Sequence, residues 1–333
     1  MNLSTIRPFF IQAEAVPDRG EDSGFVCCYE NGLVVTGVFD GCGGIGGRRY
    51  PEVNGRTGAY IGSQVAAFAA DAFFKKYYSE KGKDFIVGNR ALIIQHFQQL
   101  QEYISGKLAN VKKKLTQTGG LQVGGSLSKS FPTTVSIIAS MSNGNCVYCN
   151  YLWAGDSRGY ILDENGLYQV TADDIDTNAD DAFLNLREDG ILTNVASGDG
   201  AFKLHNSITA IQRPSMLINA TDGCFAYFLT PMDFENVILQ TLEESTSPVQ
   251  WQARLRDRIK AVAGDDFTLA ISCFGFDDFE DMKKHYSLRQ IYVQKNYIER
   301  QNGADEEQLK QLWESYKPAY YDRDNITKLG ELK

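Results

Sequence analysis

Four acidic corners carry the chemistry this sequence could perform. Asp40 ends an apolar run and opens a glycine-dense loop, Asp40-Gly-Cys-Gly-Gly-Ile-Gly-Gly47. Asp222 does the same after Ser215-Met-Leu-Ile-Asn-Ala-Thr221, and Asp265 shortly precedes Phe267-Thr-Leu-Ala-Ile-Ser272. Glu21 and Asp22 precede the first strong strand pattern. Taken singly, an Asp-Gly pair is a common turn former. Taken together, carboxylates at several strand ends are what hard divalent cations such as Mg²⁺ or Mn²⁺ select, with waters completing the octahedron. Glycines beside Asp40 and Asp222 would let backbone carbonyls approach the same cation.

The elements that must position these acids are legible nearby. Runs at 24–29 and 33–39 read as a hairpin turned by Glu30-Asn31-Gly32, where Asn-Gly supplies positive φ angles. From about residue 55, and again over 88–117, apolar residues recur at helical spacing. Short β-rich segments follow at 133–140, 146–154, 158–162 and 166–171, with Ser142-Asn-Gly144 and Asp163-Glu-Asn-Gly166 as turns. A polar stretch at 172–206 predicts loop and short helix. Strands return at 207–212, 215–220 and 267–274, and helical patterns fill 224–229 and 232–264. Two β-rich regions with helices between and after them predict an α+β fold with antiparallel sheets.

The ordered motifs bring a family into view. Gly37-Val-Phe-Asp-Gly-Cys-Gly-Gly44 resembles the V-F-D-G-H-G-G signature of the metal-dependent (type 2C) protein phosphatases. Glu21-Asp22, Pro132-Thr-Thr-Val135, Ala154-Gly-Asp-Ser-Arg158, Ala220-Thr-Asp-Gly223 and Gly264-Asp-Asp-Phe-Thr268 follow in that family's order, over roughly residues 10–275. The resemblance implies a four-layer α-β-β-α sandwich, two antiparallel sheets face to face with helices outside, and a binuclear centre of Mn²⁺ or Mg²⁺ in a cleft at one end. Carried over by position, Asp40 would bridge both cations and Gly41 would add a backbone carbonyl. Asp222 and Asp265 would serve one cation and Glu21 the other, with Asp22 a neighbouring acid. A water between the two cations would attack phosphorus in line, releasing phosphate from phosphoserine or phosphothreonine of a phosphorylated protein.

The sequence also departs from that pattern. Many members carry His after the Asp-Gly pair; here it is Cys42. The phosphate-binding Arg usually lies four residues before the Glu, a position held by Pro17; Arg19, two residues late, is the candidate for that catalytic role if the strand start is shifted, with Arg48 and Arg49 as rivals. Residues 120–132 hold no Asp or Glu for a third cation, although Asp156 could contribute; the simpler expectation is that Asp156 and Arg158 tie a turn between strands. Cys146 and Cys149 lie i, i+3 in a strand pattern and so face opposite sides, which speaks against a zinc site. These departures keep two alternatives open: a weak or inactive pseudophosphatase acting as a binding module, and a hydrolase of small phosphoesters.

Composition narrows the field further. With 33 basic against 42 acidic residues the net charge is -9, which disfavours nucleic acid or an anionic membrane as the main partner. Seven cysteines fit a reducing compartment better than a disulfide framework, and the apolar stretch at 9–11 is too short for a signal-peptide core. The expectation is a cytoplasmic protein of two parts. Residues 1–278 would form the phosphatase-like domain, and 279–333 a helical extension that packs on it or offers a partner surface.

Overall fold

In the computed structural model, residues 6–30, 32–81, 89–117, 129–143, 146–176, 181–187, 190–212, 214–321 and 327–328 are described. Asn31, the Gly/Ser-rich loop at 118–128 and part of the turn after Ser142 lie outside the described residues, as do 329–333.

The chain begins with β1 (Phe9–Ala13), β2 (Ser23–Cys28) and β3 (Leu33–Phe39), then the short α1 (Gly43–Gly46). A two-stranded ribbon follows, β4 (Arg49–Tyr50) and β5 (Arg56–Thr57), before the long helices α2 (Gly58–Lys81) and α3 (Arg90–Gln117). Next come β6 (Val135–Asn143), β7 (Cys146–Ala154), β8 (Arg158–Leu162), β9 (Leu167–Gln169), α4 (Ala182–Asn185), β10 (His205–Gln212) and β11 (Ser215–Ala220). The remainder is α5 (Pro231–Glu243), α6 (Pro248–Lys260), β12 (Phe267–Phe274), α7 (Phe279–Val293), α8 (Glu299–Gln301), α9 (Glu306–Tyr320) and β13 (Thr327–Lys328).

Two antiparallel sheets result, ordered β1-β12-β11-β8-β9 and β13-β10-β7-β6-β3-β2. Alternation along each strand divides the core into three layers. In β7, Val147, Cys149, Tyr151 and Trp153 face the other sheet, together with Val34, Ile138, Ile161 and Leu217. Leu152 and Ala154 face outward onto α2 and α3, with Phe73, Phe97 and Leu108. The first sheet is covered by α5, α6, α7 and α9 through Leu239, Trp251, Met282 and Trp313. This is the expected four-layer α-β-β-α sandwich. Cys149 points between the sheets and Cys146 stands on the opposite face of the strand, as their spacing requires. Among the described residues, no helix is long and apolar enough to cross a membrane.

Several local expectations are corrected. The segment at 9–11 is an edge strand, β1, paired with β12 from Phe9↔Ile271 to Ala13↔Phe267. The helix expected over 224–229 is only a 3-10 turn at Asp222–Cys224, and the pattern at 232–264 divides into α5 and α6. The break follows from its residues: Ser247 accepts the Gln250 amide as a cap and Pro248 starts the new helix. Helix α9 runs through Pro318 to Tyr320, with Tyr316 and Tyr320 buried on either side of the proline. Within the extension expected from 279, Tyr286, Val293, Trp313, Tyr316 and Tyr320 lie in the core of the first sheet. Leu288, Ile291 and Tyr292 of α7 remain exposed.

Candidate functional site

Strand register brings the acidic corners to one end of the sandwich. The pair Ser23↔Phe39 sets Glu21 and Asp22 beside Asp40. The pair Ala220↔Leu269 sets Asp222 beside Asp265 and Asp266, and Ala220↔Arg158 adds Asp156 to the same edge. The two sheets are tied near this end by Asn219, which accepts from Thr36 Oγ1 at 2.6 Å and donates to Ser136 Oγ at 2.9 Å.

Electrostatics report how closely the acids are gathered. Burial, then the charges of Asp222, Asp22, Asp156 and Asp265, pushes the Asp40 carboxyl well above the usual carboxylate range. Burial and then Asp265 raise Asp222 to about 6, against the opposing pull of its Gly223 amide and of Arg158. Asp22 is buried, its Oδ2 accepting from Thr221 Oγ1 at 2.9 Å. Burial and the Asp222 charge raise it to about 8. Asp156, expected to be a turn residue, feels Asp222 most strongly after burial and so belongs to the cluster. Asp265 is exposed and pushed up by desolvation and by Asp266.

Glu21 is held from three sides. Thr57 Oγ1 donates to its Oε1, Ser63 Oγ donates to its carbonyl, and its amide donates to Asp266 Oδ2 at 2.7 Å. Its other carboxylate oxygen lies where a side chain at Gly43 would begin, so any residue larger than glycine there would displace it. Asp266 also accepts the Ala15 amide at 2.8 Å, so it clamps the β1–β2 loop to the start of β12. Likewise Asp40 is fixed through its backbone. Its amide donates to Thr134 Oγ1 at 2.9 Å, and its carbonyl accepts from the Thr134 amide at 2.8 Å and Thr133 Oγ1 at 2.8 Å.

Behind the acids stands one buried cation. Arg158 forms a forked ion pair with Asp173 at 2.6–3.2 Å and lies 4.1 Å over the Phe225 ring. It lowers both Asp222 and Asp156, tempering a cluster that is otherwise all negative. On the rim, Arg19 is exposed in the turn closed by its amide to the Val16 carbonyl. Arg49, by contrast, is near enough to Glu21 to lower its carboxyl against the larger upward push of burial. Cys42 is buried against the cluster, and burial followed by Asp40 drives its thiol well above its usual value. The histidines stand elsewhere: His96 is buried in α3, His205 bonds Asp174 at 2.9 Å and stacks on Trp153, and His285 packs on Phe276.

The donor set suits hard cations. Carboxylate oxygens dominate, and Asp22 Oδ1 and Asp156 Oδ1 are buried without a hydrogen-bond partner. Among the described residues no three acidic, His or Cys side chains close into a ready-made cage. Cations kept here would therefore hold several waters, as Mg²⁺ commonly does. Structure thus brings together Glu21, Asp22, Asp40, Gly41, Asp222 and Asp265, and leaves Arg19 at the exposed loop. Sequence reasoning missed Asp266, Thr57 and the counter-ion Asp173. Their signals were present as the second Asp of Gly264-Asp-Asp-Phe-Thr268 and as a polar residue at a helix start, but only the fold gives those positions a partner.

No protein-family model and no curated relative matches the chain. Solved structures do. The serine/threonine phosphatase Stp1 from Staphylococcus aureus aligns at 15% identity over 83% of this chain and 98% of its own, with a TM-score of 0.57. The Mycobacterium tuberculosis serine/threonine phosphatase PstP/Ppp aligns at 16% identity over 80% of this chain and 97% of its own, TM-score 0.51. The S. agalactiae serine/threonine phosphatase aligns at 14% identity over 80% and 98%, also with a TM-score of 0.51. At such identities the likeness is one of fold. It matches the fold that the ordered motifs imply and spans almost the whole of each neighbour, leaving part of this chain additional to the shared architecture.

Proposed function

We propose that this chain is a metal-dependent phosphatase of phosphoserine and phosphothreonine in proteins, with the acidic end of the sandwich as its active site. One observation carries the reading. Asp22, Asp40, Asp156, Asp222 and Asp265 come from separate corners of two sheets to one place, where burial and mutual repulsion raise their carboxyls and are only partly opposed by Arg158, the Gly223 amide and the Thr221 hydroxyl. Crowding of this kind is costly for a fold with nothing to bind there, and it is relieved by cations.

Asp40, Asp222 and Asp265 would hold one cation and Asp40, the Gly41 carbonyl and Glu21 a second, with Asp22 and Asp156 beside them. Bound there, two cations supply an acidified water and neutralise charge on the phosphoryl oxygens. The chain's own part is positional. Thr133 and Thr134 fix Asp40 through its backbone, Asp266 and Thr57 fix Glu21, and Arg158 restrains Asp222. Hydrolysis breaks the ester P–O bond, and the departing Ser or Thr oxygen takes its proton from water, because no described histidine stands at the cluster. Cys42, its thiol held protonated, is a poor nucleophile.

That same residue supports a second reading, a catalytically weak or inactive module that binds phosphoproteins, since a thiol held so firmly donates a proton poorly. Hydrolysis of a phosphothreonine peptide in Mn²⁺, in Mg²⁺ and after chelation separates the two. Turnover lost in chelator supports the phosphatase. No turnover under any condition favours the binding module, and turnover of small phosphoesters alone would exclude a protein substrate.

A further inference from the structure

A phosphomonoester carries close to two negative charges at neutral pH and must approach a cluster of carboxylates, so a protein cation is needed where its oxygens dock. Three of the arginines near the acidic end already have partners. The Arg158 guanidinium is buried in its fork with Asp173. That of Arg48 lies 5.0 Å over the Tyr50 ring. Arg56 lies 4.6 Å over Tyr60 and donates to the Asp18 carbonyl at 2.6 Å. Arg19 is exposed in the β1–β2 loop, in the turn closed by its amide to the Val16 carbonyl.

Arg49 is placed differently. It is directly opposite Thr57 in the β4–β5 ribbon, and residues opposed in an antiparallel pair project from the same face. The Thr57 side chain on that face donates its hydroxyl to the Glu21 carboxylate. The ribbon is also anchored: the Gly58 amide donates to the Arg48 carbonyl at 2.7 Å, and the buried Tyr50 ring packs 5.0 Å from Phe131. Arg49 Nη1 donates to the Gly55 carbonyl at 3.0 Å, which orients the guanidinium of this exposed side chain, and its charge acts on the Glu21 carboxylate.

We propose that Arg49 is the phosphate-binding residue of this site, gripping the phosphoryl oxygens of a phosphoserine or phosphothreonine with the free edge of its guanidinium, in the place where Pro17 provides no cation. The assignment rests on the phosphatase reading for its substrate, but phosphate binding can be measured without turnover.

The experiment uses the full chain loaded with Mn²⁺, in four forms: wild type, Arg49→Ala, Arg49→Lys and Arg19→Ala. Calorimetry gives the affinity for inorganic phosphate, and phosphothreonine-peptide hydrolysis gives kcat and KM. Loss of a charged hydrogen-bonding grip predicts phosphate affinity weaker by on the order of 10- to 100-fold in Arg49→Ala, with KM raised in parallel. Arg49→Lys should recover part of the loss, since a point charge replaces the fork. Arg19→Ala should stay within about two-fold of wild type, as expected of an exposed loop residue. Wild-type phosphate affinity in Arg49→Ala, or the large loss in Arg19→Ala instead, overturns the assignment and leaves the phosphatase reading intact. A wild type that binds phosphate yet hydrolyses nothing overturns the phosphatase reading, and the variants' phosphate affinities still decide for or against Arg49. A wild type that neither binds nor hydrolyses overturns both.

Discussion

Thr134 holds Asp40 by two backbone hydrogen bonds, accepting its amide on Oγ1 at 2.9 Å and donating its own amide to the Asp40 carbonyl at 2.8 Å. The Thr134 hydroxyl also meets Ser157 Oγ at 2.7 Å, so one buried side chain links the corner of β3 to the corner of β8. Thr134→Val keeps the shape and removes the hydroxyl. It should cost about 1–3 kcal/mol in urea unfolding by leaving a buried amide unsatisfied. Hydrolysis should fall at least about ten-fold through misplacement of Asp40, whereas Thr134→Ser should retain most of both. Equal activity in the Val variant would mean that Asp40 is positioned by other means.

The crowded carboxylates make the metal-free protein sensitive to pH. Asp222 is raised to about 6 and Asp22 to about 8, chiefly by burial. A carboxyl whose folded value lies above its unfolded value stabilises the fold most at low pH, and the contribution is lost as pH rises through the folded value. In chelator, thermal stability should therefore decline between about pH 4 and pH 8, and Mn²⁺ should restore it at the alkaline end. Asp222→Asn should flatten the decline, raise the metal-free Tm by about 2–4 °C and abolish hydrolysis. Wild-type turnover in that variant, or in Asp40→Asn, would refute the two-cation assignment.

Asp266 offers a test of the clamp on Glu21. Its two carboxylate oxygens accept the Ala15 and Glu21 amides at 2.8 and 2.7 Å. Asp266→Ala should weaken Mn²⁺ binding by about 10- to 100-fold, the usual consequence of loosening a ligand's support. Asp266→Asn, which keeps one acceptor, should fall between. Calorimetry with Mn²⁺ reads the effect directly, and unchanged affinity would remove Glu21 from the metal set.

What the sequence disclosed and what it withheld follow from the range of the interactions involved. Asp40 and Asp222 were legible because each stands between an apolar run and glycine, a purely local signal. That these corners meet depends on strand register across two sheets, which only the ordered motif resemblance could supply. Asp156 read as a turn residue because its neighbour in space, Asp222, is far away in sequence. Asp266 and Thr57 were passed over for the same reason, each having its partner in Glu21. The tail was undecided because α7 has apolar residues on several faces; burial of Tyr286 and exposure of Leu288 are set by what the helix packs on.

The tail is joined to the body by a buried ion pair, and that pair yields the last prediction. Arg289 of α7 donates to both carboxylate oxygens of Glu235 in α5, at 2.6 and 2.8 Å, and Tyr316 of α9 adds a third bond at 2.5 Å. Glu235 is fully buried, so removing its cation strands a charge. Arg289→Met should cost about 3–5 kcal/mol in urea unfolding, while Arg289→Met combined with Glu235→Leu should recover much of that, because no charge is then left unpaired. Truncation at about residue 278 should expose the same glutamate together with the core face that Trp313 and Tyr320 cover, giving a protein that aggregates or fails to unfold cooperatively. A truncated chain that unfolds cooperatively at wild-type stability would instead make residues 279–333 an appendage, and the cost of Arg289→Met would then have to come from α5 alone.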